Sequence, residues 1–274
     1  MIKRFYIEIT NRCNLKCSFC KDTNKEKKDM SLQDFKYILN QINPICNYIY
    51  LHIHGEPLLH NEFNEILNLC DKYNMHIQLV SNGTLLNKYP DILNHKSIRR
   101  LSISFQSIEY SNVDINELMN TTFKLIDEVK NKDNQYIQLR FWRSDQYNLD
   151  KTSLALKLIC EHFNIDNINN IKDKLTNNTY ISMNNMFDWP DINDEKEDEG
   201  TCLGSINQFG ILVDGTVVPC CLDVNGDINL GNIFESNLVD IINSQRVKDM
   251  QESFRNNKLI EDLCKSCRYR KRFK

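Results

Sequence analysis

The chain has 274 residues, 41% of them hydrophobic and 26% charged, an ordinary globular mix that excludes disordered and fibrous classes and suffices for one large α/β domain, or a large one with a small companion. A formal net charge of −3 gives no global attraction to phosphate backbones or anionic lipid, so neither nucleic acid nor a membrane surface is an expected partner. MIKRFYIEIT lacks the apolar run of a signal peptide and no later stretch approaches the ~18 apolar residues of a membrane span, so the expected location is cytoplasmic, where eleven cysteines read as ligands or buried small residues and not as disulfides.

In chain order, Arg4 to Thr10 alternates like a strand, with Phe5, Ile7 and Ile9 on one face and Tyr6, Glu8 and Thr10 on the other. It breaks at Asn11 into TNRCNLKCSFCKD, residues 10–22. Ser31 followed by Asp34 reads as a helix N-cap with a supporting acid, opening a helix to about Asn40. Tyr48 to His54 is a β-rich run, Asn61 to Tyr73 has helical spacing, and His76 to Val80 is a short strand. Ile98 to Phe105 reads as a strand, Asn116 to Lys130 as a helix, Tyr136 to Trp142 as a strand, Leu154 to Phe163 as a helix and Tyr180 to Met183 as a sixth strand. Repeated βα units demand a parallel sheet, because each helix supplies the crossover to a parallel neighbour, and six of them make a partial (βα)6 TIM-like barrel whose site lies at the strands' C-terminal ends.

Pro190 to Gly200 is acidic and poor in apolar residues, which reads either as a linker dividing the chain into 1–190 and 191–274 or as an acidic surface loop within one domain. Beyond it, two apolar runs, Phe209 to Val213 and Thr216 to Cys220, flank Asp214-Gly215, a strong hairpin signal. Asn237 to Phe254 is amphipathic at helical spacing. The basic tail from Arg268 to Lys274 is expected to be solvated.

Two cysteine groups carry chemistry. Cys13, Cys17 and Cys20 are spaced C-x3-C-x2-C. Thiolates are soft ligands that select iron–sulfur clusters, zinc or Cu(I), and three of them leave one iron of a 4Fe–4S cube open to another molecule. Cys202, Cys220, Cys264 and Cys267 form a second set, which the hairpin and following helix can bring together from three segments to close a cube or a zinc tetrahedron. Ligand type alone does not separate the two metals. Cys221 reads as a buried small residue, an alternative ligand or a hydrogen-returning thiol, and Cys46, Cys70 and Cys160 read as core.

The first cysteine loop, with Phe19 before its third cysteine, resembles the radical S-adenosylmethionine (SAM) superfamily. His54-Gly55-Glu56-Pro57 is similar to the family's Gly-Gly-Glu-Pro segment, with His54 for the first glycine. Ser81-Asn82-Gly83 is similar to its Thr-Asn-Gly ribose contact, and Ser104-Phe105-Gln106-Ser107 stands where Ser-Leu-Asp-Gly is frequent. The resemblance implies a SAM site using Phe19, Gly55, Glu56, Pro57, Ser81, Asn82, Ser104 and Arg140, with Arg143 as second candidate for the SAM carboxylate. The second cysteine set resembles the SPASM/Twitch extension. Seven residues follow Cys267, which implies the shortened Twitch form with one auxiliary 4Fe–4S cluster, as in the subgroup that oxidises aminocyclitols. The implied activity is a radical SAM oxidoreductase. It takes hydrogen from an alcohol carbon of a small sugar, polyol or cyclitol, fed by an electron donor such as flavodoxin or ferredoxin. Peptide or protein modification and epimerisation are the alternatives.

Overall fold

A computed structural model describes residues 1–143, 150–167 and 173–273. The strands are β1 Arg4–Ile7, β2 Tyr48–Tyr50, β3 His76–Ser81, β4 Ile98–Ser104, β5 Tyr136–Arg143, β6 Lys174–Thr176, β7 Thr179–Asn185, β8 Gln208–Ile211 and β9 Val217–Val218. The helices are α1 Leu32–Ile42, α2 Phe63–Lys72, α3 Ile115–Val129, α4 Asp150–Phe163, α5 Leu238–Ile242, α6 Gln245–Arg255 and α7 Asp262–Ser266. Among the described residues the strands form one sheet in the order β6-β7-β5-β4-β3-β2-β1-β8-β9. The pairs from β1 through β5 to β7 are all parallel, as the βα reading requires for a partial barrel.

The alternation in each strand sorts its side chains. Phe5, Ile7, Ile49, Ile77, Leu79, Leu101, Ile103, Leu139 and Phe141 are all 0% exposed and pack under the helices, whose buried stripes include Phe35, Ile38 and Leu39 of α1. Full burial of one such side chain contributes roughly 1.5–3 kcal/mol, which makes this face the main source of cohesion. The alternate residues Tyr6, Tyr50, Gln78, Arg100, Gln138 and Arg140 face the other way, into the barrel.

Several local expectations change in the fold. The run Tyr48 to His54 pairs only over Tyr48–Tyr50, because the backbone N–H of His54 goes to the carboxylate of Glu8 (3.3 Å) instead of to a neighbouring strand. Helix α4 begins four residues before Leu154, held by Glu109, whose carboxylate accepts from the N–H groups of Lys151 (3.4 Å) and Thr152 (2.7 Å). The amphipathic stretch Asn237 to Phe254 is two helices, broken at the extended Ser244. Cys70 is in the core, whereas Cys46 and Cys160 are only half-buried.

The largest difference concerns the Asp-Gly hairpin. Its first strand, β8, does not stand apart with the C-terminal segment but pairs parallel with β1, Arg4↔Gln208 through Ile7↔Ile211. Glu8 fastens this junction. It is 1% exposed, and its two oxygens accept from His54 N (3.3 Å) and Val213 N (3.1 Å). Burial pushes its carboxyl up to about 7 despite those hydrogen bonds. The folded state therefore binds a proton more readily than the unfolded chain, and Glu8's contribution to stability is present below the ordinary carboxylate range and is lost as pH rises toward about 7. Urea unfolding at pH 5 and pH 7.5 is expected to show lower stability at the higher pH. In Glu8→Gln that difference shrinks, and an overall loss of ~1–3 kcal/mol appears because one N–H now faces an amide donor. An unchanged pH dependence in Glu8→Gln would remove this assignment.

The acidic stretch and the basic tail, read separately as a linker and a solvated end, form one clasp. Glu197 pairs with Arg270 (2.5 Å) and Lys271 (2.7 Å), Asp198 with Lys265 (2.8 Å), Lys196 with Asp262 (2.9 Å), and Asp191 with Lys21 of the cysteine loop. Arg270 is 7% exposed, and the Arg272 guanidinium lies 4.6 Å from the centre of the Tyr269 ring. Lys271 and Arg270 together pull the Glu197 carboxyl down to about 2.

Candidate radical SAM active site

The first cysteine loop is closed at its base. Thr10 bridges Asp29, the side chain of Asn11 accepts from Lys28 N (2.8 Å) and donates to Glu26 O (2.8 Å), and Arg12 grips both oxygens of Asp29 (2.8 and 2.5 Å) while reaching Leu59 O (2.8 Å). Twenty residues are thus held as a loop by side-chain hydrogen bonds, a role for Asn11 that its position at the strand break signalled only as a turn. Within the loop Cys20 N donates to Cys17 O (3.0 Å), bringing these two thiols onto one turn. Burial, then the neighbouring Cys20 and Cys13, push the Cys17 thiol up to about 12, and burial with Cys13 pushes Cys20 up to about 11. Three thiols that repel one another as thiolates are the donor set a cationic iron cluster relieves.

The HGEP segment at the end of β2 packs onto this loop. Gly55 has φ +80°, and a Cβ there would stand 2.6 Å from Thr10 O and 2.7 Å from Arg12 O, so only glycine permits the approach. Glu56 N donates to Arg12 O (2.8 Å). The Glu56 side chain is 2% exposed and turned inward. Its oxygens accept from Leu58 N (3.1 Å) and Asn82 N (2.7 Å), and burial pushes its carboxyl up to about 7. It braces the β3 end against the β2 end, with its carboxylate committed to the protein. Pro57 is buried at the head of the following turn. His54, in place of a glycine, donates from Nε2 to Lys21 O (3.0 Å), holding the exit of the cysteine loop.

Ser81 is 1% exposed and its hydroxyl accepts from Gly83 N (3.0 Å), shaping the turn and facing away from the open side. Asn82 donates to Asn14 Oδ1 (2.9 Å) and lies 4.0 Å from Cys13 Sγ, while Asn14 donates to Thr84 Oγ1 (2.8 Å). This Asn14–Asn82–Thr84 network ties the cysteine loop to β3; Asn82 was expected as a SAM contact, and Asn14 and Thr84 were not among the expected site residues. Phe19 stands against Trp142 (ring centroids 4.4 Å) and Tyr110 (5.6 Å), and the aromatic row continues through Phe187 to Trp189 and Tyr269. It links the cysteine loop to the segment after β7 and to the C-terminal tail. Ser104 and Arg140 are register neighbours on β4 and β5. Among the described residues Arg140 has no ion pair, so its guanidinium faces the barrel uncompensated, whereas Arg143 is exposed at the strand's end.

The four C-terminal thiols also converge. Cys220 interacts electrostatically with Cys202 and Cys264, and Cys267 with Cys202 and Cys264. Gly204 fits between Cys202 Sγ and Cys220 Cβ, and Cys267 N donates to Cys264 O (3.3 Å). Among the described residues no three His, Cys, Asp or Glu side chains sit tightly enough to share one metal ion. A cubane asks less of each thiol, since each binds its own iron at a corner of the cube. Cys221 is turned the other way, against Tyr6 and the apolar group of Ile53, Leu212, Val218 and Val224 on the barrel side.

The family described as "Radical SAM superfamily" matches residues 7–131, and the SPASM iron–sulfur cluster-binding domain matches residues 202–268. The chain carries a radical SAM domain followed by a C-terminal SPASM-type cluster domain. In this superfamily the two regions bind SAM with one 4Fe–4S cluster and auxiliary iron–sulfur clusters respectively. A probable GTP 3′,8-cyclase of Methanococcus maripaludis is 29% identical over 112 residues, 39% of this chain and 38% of that protein. The chain spans about two fifths of the length of the curated relatives it matches. In fold it is similar to BtrN, solved in complex with AdoMet and 2-DOIA, at a TM-score of 0.59 and 16% identity over 98% of this chain and 93% of that one. It is similar too to Streptococcus suis SuiB bound to the precursor peptide SuiA, at a TM-score of 0.62 and 17% identity over 98% of this chain and 72% of that one. Among the described residues no helix is long and apolar enough to cross a membrane.

Proposed function

We propose that this radical SAM protein is an oxidoreductase. It removes hydrogen from an alcohol carbon of a small sugar, polyol or cyclitol, and its auxiliary cluster accepts the electron left on the substrate. When bound, the reduced cluster and SAM supply a 5′-deoxyadenosyl radical for that abstraction. Cys13, Cys17 and Cys20 would hold the first cluster. The backbone from Gly55 to Pro57, the Asn82 turn and the Phe19 ring would seat SAM, with Ser104 and the uncompensated Arg140 receiving its carboxylate, since a guanidinium binds a carboxylate bidentately. Glu56 and Ser81 would act by positioning this wall. Cys202, Cys220, Cys264 and Cys267 would hold the auxiliary 4Fe–4S cluster. On this reading the chain divides functionally at residue 190, although β8 continues the barrel sheet.

The observation that carries the oxidoreductase reading is the place of the auxiliary thiols. Cys220 is followed by Cys221, which touches Tyr6, and Tyr6 stacks on Tyr50 inside the barrel (4.4 Å). The second cysteine set thus abuts the barrel interior, where an electron leaving a substrate there has a short path. BtrN, similar in fold, was solved with 2-DOIA, which supports the small cyclitol substrate class that the resemblance of the second cysteine set implies. The peptide-bound SuiB structure supports peptide modification as the second reading. Deuterium-labelled alcohols and peptides separate them. Label is expected in 5′-deoxyadenosine from an alcohol C–H, and label arriving only from a peptide α or β carbon would replace the first reading by the second. A physiological donor of the flavodoxin or ferredoxin type would supply the electrons.

A further inference from the structure

Inside the barrel lies a cavity of about 760 Å³, lined by Gln78, Arg100, Gln138 and Ser182 together with Arg99 and Asp173. Its wall is built of donors. Ser102 donates to Gln138 Oε1 (3.1 Å) and Gln138 donates onward to Ser182 Oγ (3.3 Å), a polar rung across β4, β5 and β7 in which Ser182 is the terminal acceptor. Arg100 donates from Nη2 to Tyr50 Oη (3.3 Å), but its buried Nε has no partner, and among the described residues no carboxylate pairs with it. Burial and Arg100 both push the pKa of Arg140 down, so two like charges share the interior, and among the described residues no carboxylate pairs with either. Arg99 is occupied by His76 Nδ1 (3.1 Å) and Asn134 O (3.4 Å), and Asp173, the one acid of this lining, has no ion pair among the described residues. A buried Nε–H with no acceptor costs free energy until one arrives, even on a half-buried side chain.

We propose that Arg100, with the Gln138–Ser182 rung, is the binding site for an oxyanion group, phosphate or carboxylate, of the substrate. Arg140 is taken up by SAM in the reading above, on which this inference rests; Arg100 is not. Arg100 lies four residues before Ser104 on β4, about 13 Å at ~3.3 Å per residue. An anion anchored at Arg100 therefore points the rest of a sugar-sized molecule up the barrel toward Ser104 and the cysteine loop. That geometry selects a sugar or cyclitol bearing one acidic group, held by its charged end with the reacting carbon at the other.

The test is a calorimetric titration of the anaerobically reconstituted full chain with SAM present, using myo-inositol, myo-inositol 1-phosphate and glucuronate. At least one anionic probe is expected to bind about tenfold or more tightly than myo-inositol, about 1.4 kcal/mol, weakening as salt is raised. A preference for the inositol phosphate assigns a phosphoryl group, and one for glucuronate assigns a carboxylate. Arg100→Gln is expected to erase the preference and Arg100→Lys to retain part of it. A preference below about tenfold for both anions, no binding of either anion at about 10 mM, or a preference that survives Arg100→Gln would overturn the proposal. The wild-type comparison stands even if the variants misfold. Release of 5′-deoxyadenosine from dithionite-treated wild-type protein without any probe reports on the radical reading separately.

Discussion

Changing Cys13, Cys17 and Cys20 together to alanine is expected to remove about four of about eight irons from the reconstituted protein and to abolish reductive cleavage of SAM. The loop's shape does not depend on the thiols, because its base is closed by Asn11, Thr10–Asp29 and the two-pronged Arg12–Asp29 pair. The triple variant should therefore fold and keep its auxiliary iron. The complementary replacement of Cys202, Cys220, Cys264 and Cys267 removes the other four irons, and there a cost in stability accompanies the loss, since Cys202 and Cys264 pack against the cluster of Ile228, Met250, Phe254, Leu259 and Leu263. Iron analysis with the cleavage assay checks both. Full iron retention in the first variant would show that these thiols are not ligands.

The second large effect is expected from a single methyl group. Gly55→Ala places Cβ 2.6 Å from Thr10 O and 2.7 Å from Arg12 O at φ +80°. All the atoms it meets are backbone of the segment that launches the cysteine loop, so relief comes only by pushing the loop away from β2. The strained φ alone costs of order 1–3 kcal/mol. The displacement breaks the Glu56 N to Arg12 O bond and shifts Cys13 relative to Asn82, so SAM cleavage should fall by about a hundredfold or more, the scale on which ~1 Å misplacements act. Gly226→Ala is the control. It too has positive φ, +74°, but the added methyl meets side chains alone, the nearest Leu212 Cδ1 at 3.2 Å. It should lower stability and leave cleavage largely intact. Equal activity in Gly55→Ala and wild type would show that the β2 end does not set the loop.

What could be read from the chain follows from the range of the forces involved. The alternation of Phe5 and Ile7 with Tyr6, the Asp-Gly hairpin and the cysteine spacing are local, and each survives in the fold. The pairing of β8 with β1 joins residues about two hundred positions apart, and nothing in QFGI names its neighbour. Separation along the chain likewise hid Glu8, whose value comes from Val213, and Glu109, whose carboxylate starts a helix some forty residues on. At the site, Gly55, Glu56 and Asn82 meet at the ends of β2 and β3, but the inward turn of Glu56 and Ser81 depends on which atoms the fold leaves unsatisfied. Arg100 gave a signal only as a charge at a barrel-facing position of β4, and its vacant Nε appears only once the neighbouring strands are in place.

The central claim is that the Cys13, Cys17 and Cys20 cluster keeps one iron open to SAM. Electron paramagnetic resonance of the dithionite-reduced protein, recorded with and without SAM, tests it most directly. The account predicts that SAM alters the signal of the cluster lost in the triple cysteine variant and leaves the auxiliary signal in place. A spectrum that is the same with and without SAM would contradict it.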